Sequence, residues 1–282
     1  MSTYAVLNGK IVKEEAICIS PNNRSFRYGD GFFETIKVIN QKILFKDYHF
    51  ARLFSSLSLL GFDQPATMKA DYFENLIDQL VIKNNHQKLA RVRITIYRGD
   101  GGLYDAASHF PNHLIQSWPL QSSINQLNEN GLITDVYTRA RKVCDGFSSV
   151  KSNNYLCYVM AALWAKSKKL NDCLLTNPYN LIADSTIANV FIIDDGIIRT
   201  PPLSDGPVSG VIRKYLIEHL PSIGLQCIET SLTIAEIQQA SEVFFTNAIY
   251  GIKWVKSFGD HQYTHSTAAS IHKQLIEPLL GL

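Results

Sequence analysis

From Ala90 to Tyr97 the chain alternates without a break: Arg91, Arg93, Thr95 and Tyr97 fall on one side, and Val92, Ile94 and Ile96 on the other. A pleated strand turns successive side chains to opposite faces, so this segment predicts a sheet with one apolar and one polar face. Strands and helices alternate around it. Tyr4 to Lys13 reads as a hairpin turning at Asn8-Gly9, and Phe32 to Val38 with Lys42 to Phe45 as a second. Asp47 is the expected cap of a helix whose apolar stripe is Phe50, Leu53, Phe54, Leu57 and Leu60, with Gly61 ending it. Arg52 lies roughly 200° around that helix from Phe50, off the stripe. A second helix is predicted over Asp71 to Lys83, and Arg98-Gly-Asp-Gly-Gly-Leu-Tyr104 is a loop.

With 282 residues, 46% of them apolar, the chain can fill two medium cores better than one large one. Trp118-Pro119 followed by Gln121-Ser-Ser reads as a connector. The expected domains are therefore 1–118 and 125–282, joined by a linker over 119–124. In the second part a strand is predicted near Leu132 to Thr138, and Lys151 is placed at a strand end. The helix Asn153 to Lys168, apolar nearly all round, is expected to be buried. Strands at Asp172 to Thr176, Ala188 to Ile193, Ile197 to Arg199 and Glu242 to Thr246 alternate with helices at Val211 to Leu220, Thr233 to Ala240 and Ser266 to Leu279. Periodicity thus gives a mixed α/β chain of two lobes.

Charge and cysteine content exclude several functions. A formal net charge of +2, without basic blocks, offers no footprint for nucleic acid or an acidic membrane. No apolar run approaches the roughly 20 residues that cross a bilayer, and the first residues lack a basic segment followed by an apolar one, so a cytoplasmic location is expected. The 5 cysteines form no Cys-x-x-Cys pair and suit reduced thiols, and no His/Cys cluster has the spacing of a metal site.

Three segments carry chemistry. Lys151 stands in Ser148-Ser-Val-Lys-Ser-Asn-Asn-Tyr155, just before the apolar helix, where partial desolvation favours a neutral, nucleophilic amine. Asp184 is flanked on both sides by apolar residues, and a carboxylate there needs a partner. Gly210 precedes Val211-Ile-Arg, so the amides of Val211 and Ile212 open a helix and attract an anion. Thr246-Asn247 follows a strand and can add a hydroxyl and amides, and Arg52 a planar fork. An amine, an acid and a helix-opening glycine in that order are what an enzyme needs to hold pyridoxal 5'-phosphate. Tyr155 or Tyr158 can then donate to the ring oxygen.

Taken together these segments resemble the class IV pyridoxal-phosphate aminotransferases. The resemblance rests on Thr186, Asn189, Val190, Phe191, Ile198, Thr200, Val208, Gly210, Val211 and Arg213 at the family spacings. Tyr28-Gly-Asp-Gly-Phe-Phe-Glu-Thr-Ile-Lys37 and His49-Phe-Ala-Arg-Leu53 add to it. It implies a fold-type IV enzyme: a small N-terminal α/β domain, a larger C-terminal pseudo-barrel domain, and a homodimer with active sites near its interface. It also implies Lys151 as Schiff-base lysine and proton shuttle, Arg52, Val211, Ile212, Thr246 and Asn247 around the phosphate, Asn189 within the cofactor motif, and Tyr155 as the cofactor tyrosine. Asp184 stands where members usually carry Glu, and its side chain reaches about 1.5 Å less.

The resemblance leaves the activity open. Arg93 matches a substrate-side arginine of branched-chain members, whereas Arg98 and its Gly-Asp-Gly-Gly loop resemble the D-amino-acid transaminases and the aminodeoxychorismate lyases. Tyr28, Phe33 and Tyr97 form an expected aromatic wall, and Thr246-Asn-Ala248 is nearer the lyase pattern than the branched-chain one. The expected activity is aminotransfer between a small amino acid and a 2-oxo acid. The alternatives are a lyase that turns aminodeoxychorismate into pyruvate and 4-aminobenzoate, and a weakly catalytic cofactor-binding relative or small-molecule binding module.

Overall fold

A computed structural model describes residues 3–281. The chain divides into two compact units, Met1–Ser122 with Val150–Asn154, and Ser123–Ser149 with Tyr155–Leu282. The short segment carrying Lys151 thus belongs with the first unit, although the chain on either side of it belongs to the second.

The first unit contains β1 (Tyr4–Leu7), β2 (Lys10–Lys13), α1 (Arg24–Tyr28), β3 (Gly31–Ile39), β4 (Lys42–Ile43), α2 (Lys46–Leu59), α3 (Ala70–Lys83), β5 (Leu89–Tyr97) and β6 (Asn112–Pro119). Its strands form a sheet in the order β2-β1-β6-β5-β3-β4, antiparallel throughout. Asn8 (φ 48°) and Gly9 (φ 83°) are both left-handed, the geometry that lets a two-residue turn follow the strand twist. The strand β6, which sequence reading missed, runs through Trp118 and Pro119, paired with Arg91 and Ala90, so strand pairing extends to the first residue of the expected linker. Asp47 does not cap α2. Phe45 occupies that position with φ 54°, and Asp47 lies in the first turn.

Alternation sends Phe32, Ile36, Val38, Val92, Ile94 and Ile96 to one face, where they pack with Phe50, Leu53 and Leu57 of α2 and Phe73, Ile77 and Leu80 of α3. One charged residue shares that face. Glu34, 1% exposed, accepts from Arg52 Nε at 2.7 Å and Nη2 at 2.6 Å, and from the His49 ring at 2.8 Å. Arg52 is therefore no solvated surface residue: its fork ties α2 to β3. Burial pushes the Glu34 carboxyl up, but the Arg52 and His49 contacts outweigh it and hold its pKa at about 2. For His49 burial is the leading influence and lowers its pKa, so the neutral ring donates through Nδ1 to the carboxylate.

The second unit contains β7 (Leu132–Tyr137), α4 (Leu156–Ser167), β8 (Asp172–Thr176), β9 (Ile182–Ser185), β10 (Asn189–Asp194), β11 (Ile197–Thr200), α5 (Val211–His219), β12 (Cys227–Glu229), α6 (Ile234–Gln239), β13 (Glu242–Asn247), β14 (Gly251–Phe258), β15 (His261–Gln262) and α7 (Ser266–Ile271). The sheet order is β12-β11-β10-β13-β14-β7-β8-β9, with β15 paired to β14. The edge strand β9 leads within a few residues into β10, and the Ser185 amide donates to the Ala188 carbonyl at 2.8 Å. A sheet whose edge returns to an inner strand has curled into the expected half-barrel. Thr233 caps α6 reciprocally with Glu236. The last helix is less regular than predicted, with α7 widening into a π turn over His272–Ile276 and tightening over Glu277–Leu280.

Two expectations about the second part are corrected. Lys151 is not at a strand end: β7 stops at Tyr137, and Lys151 lies in an extended segment whose carbonyl accepts from the Phe33 amide at 2.9 Å. The α4 helix is not buried all round, since Leu156 (69%), Val159 (50%), Met160 (44%) and Leu163 (56%) are exposed along one stripe.

The Glu34 pair has a pH signature. Its folded pKa lies below its ordinary 4.5, so the stabilisation is complete above that value and is lost as pH falls toward about 2. Glu34→Gln should lower stability at neutral pH by about 3–5 kcal/mol, because it leaves the Arg52 charge without its buried partner. Denaturant titrations between pH 7 and 3 should show a shallower acid dependence in the variant than in the wild type. Equal slopes would remove the assigned role.

Candidate active site

The residues singled out by sequence divide between the units. Tyr28, Phe33, Arg52, Arg93, Tyr97, Arg98 and Lys151 lie in the first, and Tyr155, Asp184, Asn189, Val211, Ile212, Thr246, Asn247 and Ala248 in the second.

In the first unit Phe33 is the organising surface. It sits on the sheet face opposite the core, and its ring is approached by the Arg93 guanidinium carbon at 3.5 Å and by Lys151 Nζ at 4.8 Å. Arg93 Nε also donates to Thr95 Oγ1 at 3.1 Å. A cation and an amine are thus gathered on one aromatic ring. Tyr97 is buried on the same strand face, and that burial, with Asp100 beside it, pushes its hydroxyl pKa up. Tyr28 is half exposed and is approached by Arg24 at 5.3 Å and Arg27 at 5.0 Å.

Arg98 is engaged elsewhere. Its Nη1 donates to Asp30 at 2.6 Å, its Nη2 to the Leu60 carbonyl at 2.5 Å and the Gly61 carbonyl at 3.1 Å, and its guanidinium lies over Phe62 at 4.1 Å. The other oxygen of Asp30 takes Arg24 Nε at 2.8 Å, and Arg24 also donates to the carbonyls of Gly101, Leu103, Tyr104 and Asp105. Asp30 therefore couples two buried arginines, one gripping the loop after β5 and the other the end of α2. Sequence reading noted Asp30 only within Gly-Asp-Gly and did not notice Arg24. Two basic residues in Asn23-Arg-Ser-Phe-Arg27 look solvated when no partner is in view.

In the second unit Asp184 lies inside β9, not in a turn, and is 2% exposed. Its Oδ2 accepts from Tyr158 Oη at 2.9 Å and from the Val208 amide at 3.0 Å, and Lys142 Nζ stands 3.9 Å away. Burial, then the Asp184 charge, pushes the Tyr158 hydroxyl pKa well above its ordinary value. That hydroxyl donates to Asp184, and Tyr155 is stacked on Tyr158 with centroids 4.5 Å apart. Just beyond, Asp172 accepts from Ser185 Oγ at 2.8 Å, Thr186 Oγ1 at 2.7 Å and the Cys173 amide at 2.7 Å, locking the turn after Asp184. Burial nevertheless leaves the Asp172 carboxyl pKa raised.

Gly210, where sequence predicts an anion site, stands close to Asn189. Asn189 Nδ2 donates to the Val208 carbonyl at 2.8 Å, and a methyl group at Gly210 would overlap Asn189 Oδ1, so glycine is required by close approach. Gly210 caps α5 without a side-chain hydrogen bond, leaving the first amides of α5 uncapped by a side chain. Asn189 pairs with Thr246 across β10 and β13, and the Thr246 hydroxyl is buried with no hydrogen-bond partner within the described residues. An orphan hydroxyl and an uncapped helix start, both tied to Asn189, fit a phosphate ester. Asn247 Oδ1 accepts from the amides of Ile249 and Tyr250 at 2.9 and 3.0 Å, so its side chain shapes the turn that carries Ala248. Thr200 and Arg213, both part of the sequence pattern, anchor the frame: Thr200 Oγ1 donates to the Val190 carbonyl at 2.8 Å and Arg213 Nη2 to the Pro201 carbonyl at 2.7 Å.

Comparison with known proteins agrees with this construction. The family model for amino-transferase class IV matches residues 31–258. A Methanocaldococcus jannaschii protein provisionally named a branched-chain-amino-acid aminotransferase is 27% identical over 272 residues, 96% of this chain and 93% of that protein. The aminodeoxychorismate lyase of Bacillus subtilis is 26% identical over 248 residues, 87% of this chain and 83% of the lyase. The fold is shared with the branched-chain amino acid aminotransferase of Thermobaculum terrenum, solved in its pyridoxal-phosphate form (TM-score 0.86, 20% identity, 99% of this chain and 94% of that one). A match over most of its length, with the motif residues in these structural roles, shows that the chain belongs to the class IV aminotransferase family, whose enzymes use pyridoxal phosphate.

Proposed function

We propose that this chain is a pyridoxal-phosphate-dependent aminotransferase that exchanges an amino group between a small amino acid and a 2-oxo acid. The observation that carries this reading is the Phe33 ring, which gathers the Lys151 amine and the Arg93 guanidinium. An α-amino acid needs both: an amine to exchange with, and a fork for its carboxylate. Arg98, whose donors serve Asp30 and two carbonyls, takes no part in substrate binding.

When bound, pyridoxal phosphate supplies an electron sink for the carbon next to the substrate nitrogen. The protein's residues do the rest. Lys151 Nζ holds the cofactor and afterwards moves the proton of the reacting carbon. Thr246 Oγ1, the amides of Val211 and Ile212, and the backbone at Asn247 hold the phosphate. The family resemblance assigns Arg52 to the phosphate as well. Asp184 keeps a proton at the ring nitrogen, and the Tyr155 hydroxyl orients the ring oxygen. Tyr28, Phe33 and Tyr97 exclude water from the substrate. The Thr246-Asn-Ala248 sequence and the likeness to the Bacillus subtilis enzyme favour a second reading, a lyase releasing pyruvate and 4-aminobenzoate from aminodeoxychorismate.

One set of measurements separates these readings. Borohydride should fix the cofactor to Lys151 in the purified protein, and Lys151→Ala should abolish turnover. A panel of amino acids should convert the bound aldehyde to its amine form, with 2-oxoglutarate reversing the change. Arg93→Ala should raise KM for the amino acid about tenfold or more, the loss of one charge-assisted carboxylate contact. Formation of pyruvate and 4-aminobenzoate without amine-form cofactor would select the lyase. Label on another lysine would end both readings.

The exposed α4 stripe supports a homodimer. Four large apolar residues repeating at helical spacing, Leu156, Val159, Met160 and Leu163, suit a second copy of this chain. A cytoplasmic location suits the free cysteines, and among the described residues no helix is long and apolar enough to cross a membrane. Light scattering should give twice the chain mass, and Leu163→Glu should shift the protein toward monomer. A wild-type monomer at micromolar concentration would refute the dimer.

A further inference from the structure

Lys142 is a buried lysine to which sequence reading gave no role. Its ammonium donates to the Ser148 carbonyl at 3.1 Å and to the Gly206 carbonyl, and it stands 3.9 Å from Asp184 Oδ2. The same oxygen holds the Tyr158 hydroxyl and the Val208 amide. Lys142 also lies 5.6 Å from the centroid of the Tyr158 ring. Titratable groups that face this carboxylate include Lys142 and, from α4, Tyr158 and Cys157. Burial pushes the Tyr158 hydroxyl and the Cys157 thiol up, keeping both neutral at physiological pH. The cation of the set is Lys142.

We propose that Lys142 is a positioning residue that sets the charge balance of Asp184, holding the carboxylate anionic and sharing it with the ring nitrogen of the cofactor. The argument rests on the aminotransferase reading above and extends it. Two cations on one carboxylate repel one another, and beneath a protein surface that repulsion is screened far less than in water. A ring nitrogen that shares Asp184 with Lys142 therefore gives up its proton at a lower pH than one with Asp184 to itself. The carbonyl contacts fix the ammonium in place. Gly206 leads to Val208 and then Gly210, so the group that tunes the carboxylate also ties down the approach to the phosphate-binding helix start.

The test loads the protein with pyridoxal phosphate carrying ¹⁵N in the ring and follows the nitrogen resonance against pH. Lys142→Gln keeps donors for the two carbonyls but no charge, Lys142→Met removes both, and Lys142→Arg keeps the charge. Circular dichroism and thermal melts of the cofactor-free proteins identify the variants that fold, and either neutral variant suffices. The expected result is a ring-nitrogen midpoint raised by about one pH unit or more in the neutral variants, with Lys142→Arg close to wild type. A neutral variant titrating with the wild type overturns the role of Lys142 and leaves the aminotransferase reading intact. A wild-type protein that takes up no cofactor overturns both.

Discussion

The Asp184 carboxylate is the interaction on which the second unit is arranged. A carboxylate taken out of water is stable only where donors or cations replace its hydration. Here the replacements come from separate parts of the chain: a hydroxyl from α4, an amide from the segment before α5, and an ammonium from the segment after β7. Each donor ties its own element to β9. Val208, held at its amide by Asp184 and at its carbonyl by Asn189, carries the constraint to Gly210, where α5 begins. The Asp184 carboxylate and the start of α5 are therefore joined by one hydrogen-bonded chain.

The first unit applies the same principle with Glu34 and Asp30. Glu34 points into an apolar core face, and Arg52 and His49 of α2 answer it, so the helix is fixed in rotation as well as position. Asp30 stands at the start of β3 and holds Arg24 and Arg98, both of which also donate to loop carbonyls. A loop such as Gly101 to Asp105 keeps few conformations when its carbonyls converge on one guanidinium. Rigidity that the loop sequence itself does not provide is thus imported from buried ion pairs.

Much of this was legible in the sequence, and the reasons differ by element. The alternation of β5, the Asn8-Gly9 turn and the spacing from Thr186 to Arg213 are local signals, and local signals survive without knowledge of the fold. Lys142 was illegible because its partners, Gly206 and Asp184, are far along the chain, and Arg139-Ala-Arg-Lys142 alone looks like a solvated run. The exposure of α4 was misjudged because apolar residues on every side of a helix do not say whether this chain or a second copy covers them. The strand that carries Asp184 is hidden because Asp-Ser-Thr is a sequence that turns also favour. Only the pairing of β9 with β8 shows the strand.

The two arginines that sequence could not rank show what geometry adds. Arg93 and Arg98 are alike in chemistry, one at the middle of β5 and the other just past its end, on segments that resemble those of family members. What separates them is the acceptors nearby. Arg98 leaves the strand beside Asp30 and beside the carbonyls that end α2, and its two Nη atoms are tied to those fixed oxygens. Arg93 stays on the strand, one hydrogen bond from Thr95 and with its guanidinium carbon 3.5 Å from the centre of the Phe33 ring, the ring that Lys151 Nζ also approaches.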